Sequence, residues 1–471
     1  MHSELYETVK TSDERLARRT NPVFVPLTDK DRGQCWLDDM IYVDDDPEAR
    51  FQTFLGIGGA MTDATAWTLM QMDEAMRARV LKELFAPCPK GGISILRVPM
   101  NSCDFSRRIY SCCDTPNDYE LKTFNIDYDR ECMIPMLKAA LALNPSIRIL
   151  VSPWSPPAWM KDNGSMIHGG HLRPECRKVW AEFFCRFIQA YAKEGIDVWA
   201  VTINNERYAA QPWDSLRMSD EEERDFVRDD LGPALERNGL GHVKIFLWDH
   251  NRDHMYHAAK ATYADPAASK YVAGCAYHWY GQNCYDNVSL LHDAYPDKLL
   301  LFSEGCNGGN NYGDPEWGDA DQPDPNGIHI HEGVWEGGER YARNMINDFN
   351  RHCNGWIDWN LVLDEKGGPR HLPNGTGAPY IFDTKKKELR PQICNAFISH
   401  FSHFIQPGAR RIVASPTRNA LETTAFLNPD GSIIVILLNE TEKPFELYYY
   451  IRGCKALVMA PPRSIQTLVV Q

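Results

Sequence analysis

Short apolar runs rich in β-branched residues recur along the chain, each ending in polar groups: Phe54–Gly59, Ile93–Met100, Arg148–Trp154, Trp199–Glu206, Val243–Asn251, Tyr271–Tyr280, Leu299–Gly305 and Gly355–Asp364. Their hydrophobicity is continuous rather than alternating, as strands buried on both faces require. Helical patterns lie between them. In Arg173–Gly195, residues Trp180, Phe183, Phe184, Phe187, Ile188 and Tyr191 recur at helical spacing, and Gly195 supplies a stop. Met61–Phe85, Asp129–Leu143, Ser219–Asn238 and Glu336–Arg351 also read as helices, with Ser219 and Glu222 spaced as a capping box. Eight strand-then-helix units predict an α/β fold, a (β/α)8 TIM barrel, over residues 51–405. An open doubly wound sheet is disfavoured, because Gly56–Met61 lacks the G-x-G-x-x-G spacing of a phosphate-binding turn.

Beyond residue 405 the pattern changes to short strands: Arg411–Ala414, Leu421–Leu427, Ile433–Asn439, Phe445–Ile451, Ala456–Met459 and Ser464–Val470. This spacing predicts a β-sandwich over residues 406–471. Residues 1–50 contain the segments Cys35–Asp39 and Met40–Asp45, which add strands to it. The chain is expected to leave the sandwich, form the barrel and return.

Composition narrows the function. Of 471 residues, 43% are hydrophobic and 24% charged, which is ordinary globular usage. The net charge of −14 disfavours nucleic acid and anionic membrane as partners. The first twenty residues carry no apolar core of a signal peptide, and no run is long enough to span a bilayer. The expected location is therefore cytoplasmic, with the 14 cysteines reduced. The N-x-S/T sequons at Asn163, Asn287, Asn374 and Asn439 then carry no meaning. No CxxC pair occurs, and the pairs His168/His171 and His329/His331 read as solvated loop residues, so no metal is expected. A dinucleotide fingerprint and a G-x-S-x-G elbow are also missing, so no cofactor is expected.

In a barrel of this kind, catalytic groups sit at the C-terminal ends of strands. Those ends offer Asn101–Asp104, Trp154, Asn204–Glu206, Asp249–Asn251, His278–Tyr280, Glu304 and Trp356–Asn360. Two carboxylates stand out, Glu206 and Glu304, on roughly opposite sides of the mouth. Carboxyl groups about 5–5.5 Å apart there suit retaining glycoside hydrolysis, one attacking the anomeric carbon and the other protonating the leaving oxygen. Asn205 is placed to bond the sugar 2-hydroxyl, Tyr280 to donate to the nucleophile, and Asp104 to hold paired hydroxyls. Trp154, Trp356 and Trp359 supply apolar walls and floor.

The stretches FLGIGGAMTDA, ILRVPMNSCDFS, SPWSPPAWMK, WAVTINNE, YHWY, FSEGC and GWIDWNLVLDEKGGP together resemble glycoside hydrolase family 30, the glucosylceramidase-like retaining enzymes of clan A. The resemblance covers nearly the whole chain, C-terminal strands included. It implies that Glu206 is the acid/base and Glu304 the nucleophile. It also implies that Asp104, Trp154, Asn205, Tyr280, Trp359 and Asn374 line the subsite of the terminal sugar, with Arg97 and His278 supporting the carboxylates. The family's usual Asn-Glu-Pro is here Asn205-Glu206-Arg207. Arg207 is expected to turn outward, toward the leaving-group side.

The leading expectation is a retaining, exo-acting β-glucosidase for small carbohydrate or glycoside substrates, β-1,6-linked oligosaccharides or glucosylceramide among them. Xylose or fucose on the same site is the enzymatic alternative. A non-catalytic carbohydrate-binding barrel is the alternative of a different class.

Overall fold

The computed structural model describes residues 1–29, 31, 39–307, 334–372 and 376–471. Eight parallel strands close into a barrel: Gly56–Ala60, Ile93–Met100, Arg148–Pro153, Val198–Thr202, Lys244–Asn251, Val272–His278, Leu299–Glu304 and Gly355–Asn360. They are numbered one to eight below. Each pairs in parallel with its sequence neighbours, and strand eight closes on strand one. Ile95, Leu150, Ala200, Phe246, Ala276, Leu301 and Ile357 fill the barrel interior. A second, larger apolar cluster lies between strands and helices. Both strand faces are therefore buried, which is why the runs are continuously apolar.

Several helices are more broken than their periodicity suggests. Met61–Phe85 is two helices, Asp63–Met70 and Glu74–Phe85, each started by its own side-chain cap, Thr62 and Asp73. Asp129–Leu143 divides into Asp127–Glu131 and Met133–Leu143. Ser219–Asn238 starts with the expected capping box and widens into a π turn at Val227–Leu231. Pro233 follows within the next helix, Gly232–Arg237. A proline ring lacks an N–H and crowds the carbonyl four residues back, and a widened turn relieves both. The helix Ile393–Ser402 and a three-stranded sheet of Val362–Asp364, Tyr380–Asp383 and Glu388–Pro391 were not legible as separate elements.

The sandwich is built from both chain ends. Ser3–Val9 pairs antiparallel with Ser464–Val470 along its whole length. Met40–Asp44 lies between Arg410–Pro416 and Phe445–Ile451. Leu5, Ile41 and Val43 pack into the same core as Ile412, Val435, Leu437, Leu447 and Leu468. The segment Cys35–Asp38 lies outside the described residues. Barrel and sandwich are joined by buried contacts. Phe54 and Phe349 meet Phe426 edge-on, and His400 bonds Thr8 and Thr467 through its two ring nitrogens.

Candidate active site

Side chains two positions apart on a strand share a face. One step above the apolar interior layer, that alternation brings Arg97, Ser152, Thr202, His278, Ser303 and Trp359 into the barrel mouth. Phe246 on strand five would bring Trp248 with them. Instead a bulge intervenes between Trp248 and His250, with Trp248 at φ +73° and Asp249 at φ +52°. Asp249 thereby turns inward and Trp248 joins the outer cluster.

Asp249 is fully buried and organises the layer. It accepts from Arg97 Nη2 at 2.8 Å, Thr202 Oγ1 at 2.7 Å, Ser303 Oγ at 2.6 Å and His278 Nε2 at 3.1 Å. Despite burial, the Arg97 charge and the His278 bond hold its carboxyl well below the usual range. Arg97 also donates to Ser152 Oγ at 3.1 Å, to Asn205 Oδ1 at 2.8 Å and to Glu304. Its guanidinium lies 4.7 Å from the Trp154 ring centre and 5.6 Å from that of Trp359.

Glu206 and Glu304 face one another across this layer. A carboxylate oxygen of each and a ring nitrogen of His278 lie within 4.8 Å of one another. His278 Nδ1 is 3.2 Å from Glu206 Oε1, and Tyr280 Oη donates to Glu304 Oε1 at 2.9 Å. Burial opposes charge on His278, but Glu304, Asp249 and Glu206 raise its pKa to about 9. The imidazolium spends both N–H groups on carboxylates, so the cluster offers a cation no lone pair from His278.

Burial lifts both glutamates. Around Glu206 the His278 bond and the charges of His250, His278 and Arg97 outweigh it and hold the carboxyl below its ordinary value. Glu304 stays above its own, because burial and the facing Glu206 charge exceed what His278 and Arg97 return. Three carboxyls face two cations, Arg97 and His278. The two glutamates lie close enough for the charge of each to act on the other.

Trp154 and Trp359 form a tilted pair 5.2 Å apart, with Phe105 edge-on to Trp359. Both tryptophans and Phe105 belong to one buried cluster, and the adjoining Asp104 is buried as well. Trp356 does not join them. It stacks on Phe302 at 4.3 Å and meets Trp279 and Tyr341 on the outer face of the barrel. Strand alternation explains this, since Ile357 and Trp359 point in and Trp356 must point out. His278 is fully buried, with its two ring nitrogens against Glu206 and Asp249. Asn374, His329 and His331 lie outside the described residues. His168 and His171 belong to a loop, and His171 sits 3.6 Å from the half-exposed Glu222.

Arg207 is buried rather than turned outward. It pairs with Asp220 at 2.6 Å and Glu223 at 3.1 Å, away from Glu206. Sequence reasoning passed over Asp249, although it stands at a strand end. Cys306, whose Sγ lies 3.3 Å from Tyr280 Oη, was likewise missed.

Residues 54–405 match the model of the glycosyl hydrolase family 30 TIM-barrel domain, and residues 408–468 that of the family's beta sandwich domain. The lysosomal acid glucosylceramidase of Mus musculus is 36% identical over 85% of this chain and 78% of its own length. An endo-1,6-beta-D-glucanase of Neurospora crassa is 27% identical over 84% and 81%. Among solved structures, SrfJ from Salmonella typhimurium superposes with a TM-score of 0.90 at 31% identity, covering all of both chains. An endo-beta1,6-glucanase superposes with a TM-score of 0.84 at 30% identity over 99% of each. Among the described residues no helix is long and apolar enough to cross a membrane.

Proposed function

Since this chain belongs to glycosyl hydrolase family 30, a family of glycoside hydrolases, we propose that it cleaves β-glucosides with retention by double displacement. The observation that carries this reading is the facing pair of buried carboxyls, with oxygens within 4.8 Å at the ends of strands four and seven. That closeness suits a direct attack and leaves little room for the water that inversion requires between them.

Glu304 is the nucleophile in this reading. It accepts from Arg97 and Tyr280, whose hydroxyl burial keeps protonated, so its position is fixed by two donors. It attacks the anomeric carbon while Glu206 gives its proton to the departing oxygen. Glu206 then takes a proton from the water that releases the sugar. Glu206 must be protonated in the first step and ionised in the second, and the closeness of the two carboxyls lets the loss of charge on Glu304 in the covalent intermediate act on Glu206. Arg97, His278 and Asp249 carry fixed charges that need no reorganisation as the oxocarbenium character develops.

The names of the relatives share a glucosyl unit, which favours glucose as the sugar cleaved. Exo action is favoured by the depth of the site, since Glu206, Glu304, Asp104, Trp154 and Trp359 are all buried. The endo-1,6-glucanase relatives favour a second reading, internal cleavage of a β-1,6-glucan. Products from a reduced-end-labelled β-1,6-gluco-oligosaccharide separate the two. Exo action releases glucose from the first time point and shortens the labelled chain by single units. Early labelled products of mixed length would establish the endo reading, and no turnover of any β-glucoside would refute both.

A further inference from the structure

Glu206 itself has φ +47°, a left-handed conformation that a residue with a Cβ keeps only when its surroundings over-determine it. Trp248 and Asp249, across from it on strand five, are left-handed too. The two strained segments are tied directly, because Glu206 N–H donates to the Asp249 carbonyl at 2.8 Å.

A second tie runs through side chains. Arg207 Nη2 donates to Asp220 Oδ1 at 2.6 Å and pairs with Glu223 Oε2 at 3.1 Å. Its Nη1 donates to the Met218 carbonyl at 3.0 Å, and Met218 N–H donates back to the Arg207 carbonyl at 2.9 Å. The guanidinium carbon lies 4.9 Å from both the Tyr208 and the Trp248 ring centres. Glu223, fully buried, uses its other oxygen to accept Trp248 N–H at 2.9 Å. One carboxylate therefore links the side chain that follows Glu206 to the backbone that precedes Asp249.

We propose that Arg207 and Glu223 are positioning residues, a clamp that holds the Glu206 backbone at its working distance from Glu304. The proposal rests on the reading of Glu206 as acid/base. A proline after the glutamate would fix the chain through its ring. Arg207 has a free φ, and the restraint comes instead from a rigid planar fork held by two carboxylates and a carbonyl. Its charge is met where it lies, so it acts on Glu206 through the backbone. A displacement of about 1 Å at a proton-transfer site costs about 10²-fold in rate.

The test measures kcat/KM for Glu223→Gln, Arg207→Lys and the charge-balanced double variant Arg207→Met with Glu223→Gln. The substrates are β-glucosides graded from dinitrophenyl to alkyl leaving groups. Glu206→Ala is run beside them and folding is followed by near-ultraviolet circular dichroism. The clamp predicts a loss of about 30- to 100-fold on alkyl glucosides and under about threefold on dinitrophenyl glucoside, which needs little protonation. Equal losses on both, or no loss in a folded variant, would overturn it. So would loss of folding in all three, Arg207→Lys included, which would make the clamp a stability element. If Glu206→Ala itself lost both substrates equally, the acid/base reading would fail instead.

Discussion

The barrel interior holds two neighbouring layers of opposite character. The lower layer is wholly apolar: Ile95, Leu150, Ala200, Phe246, Ala276, Leu301 and Ile357. The layer one step above carries Arg97, His278 and Asp249, buried and ionised, with Glu206 and Glu304 at its upper edge. The same strands supply both. The apolar layer is held by shape and by filled volume, whereas each ion in the polar layer is kept by specific partners. Removing one partner of a buried pair leaves an uncompensated charge, which costs far more than the pair's net worth.

Substitutions in the two layers should therefore differ in kind. The largest effect is expected from Glu304→Ala, which removes the covalent step and should lower kcat/KM on the order of 10⁴-fold or more on every glycoside, whatever the leaving group. Steady-state rates on aryl and alkyl β-glucosides check this. Asp249→Asn should cost about 3–5 kcal/mol of stability, because Arg97 and His278 lose their shared counter-ion, and should lower activity in the molecules that remain folded. Leu301→Ala, two residues before Ser303, should cost about 2–5 kcal/mol through the cavity it leaves, with kcat/KM of the folded enzyme nearly unchanged. Urea unfolding beside kinetics at a temperature where both variants are folded separates the two outcomes. Equal kinetic losses would erase the distinction between the layers.

How far these layers could be read beforehand follows from the strand period. Continuous apolar runs marked all eight strands, and their ends held Glu206, Glu304, Asn205 and Tyr280, whereas Arg97, inside the second run, came only from the family resemblance. The same period, applied to Gly355–Asn360, separates Trp359 from Trp356. Both were expected at the mouth because Trp suits sugar rings, but only one can face it. Asp249 stood among the strand-end residues but was given no role, for the opposite reason. Simple alternation from Phe246 puts Trp248 inward, and only two consecutive left-handed residues reverse it. Nothing in the local sequence demands that bulge, since its support comes from Glu223, some 25 residues away. Arg207 was misplaced likewise. An arginine in a loop reads as solvated, and its burial depends on Asp220 and Glu223 meeting it in space.

The smallest expected effect concerns pH. His278 is raised from 6.5 to about 9 in the folded protein. Its contribution is therefore complete below the unfolded value and is lost as pH rises through about 9. A shift of that size corresponds to about 3 kcal/mol. The stability advantage of the native chain over His278→Asn should shrink by about that amount between about pH 6 and about pH 10. Urea midpoints at the two pH values measure it, and an unchanged advantage would mean that His278 is neutral in the polar layer.

The central claim, that Glu206 and Glu304 act as a retaining pair, is tested most directly by proton NMR of the first product formed from an aryl β-glucoside. The account predicts that β-glucose appears first and mutarotates to the equilibrium mixture. Initial formation of α-glucose would mean a single displacement by water and would contradict it.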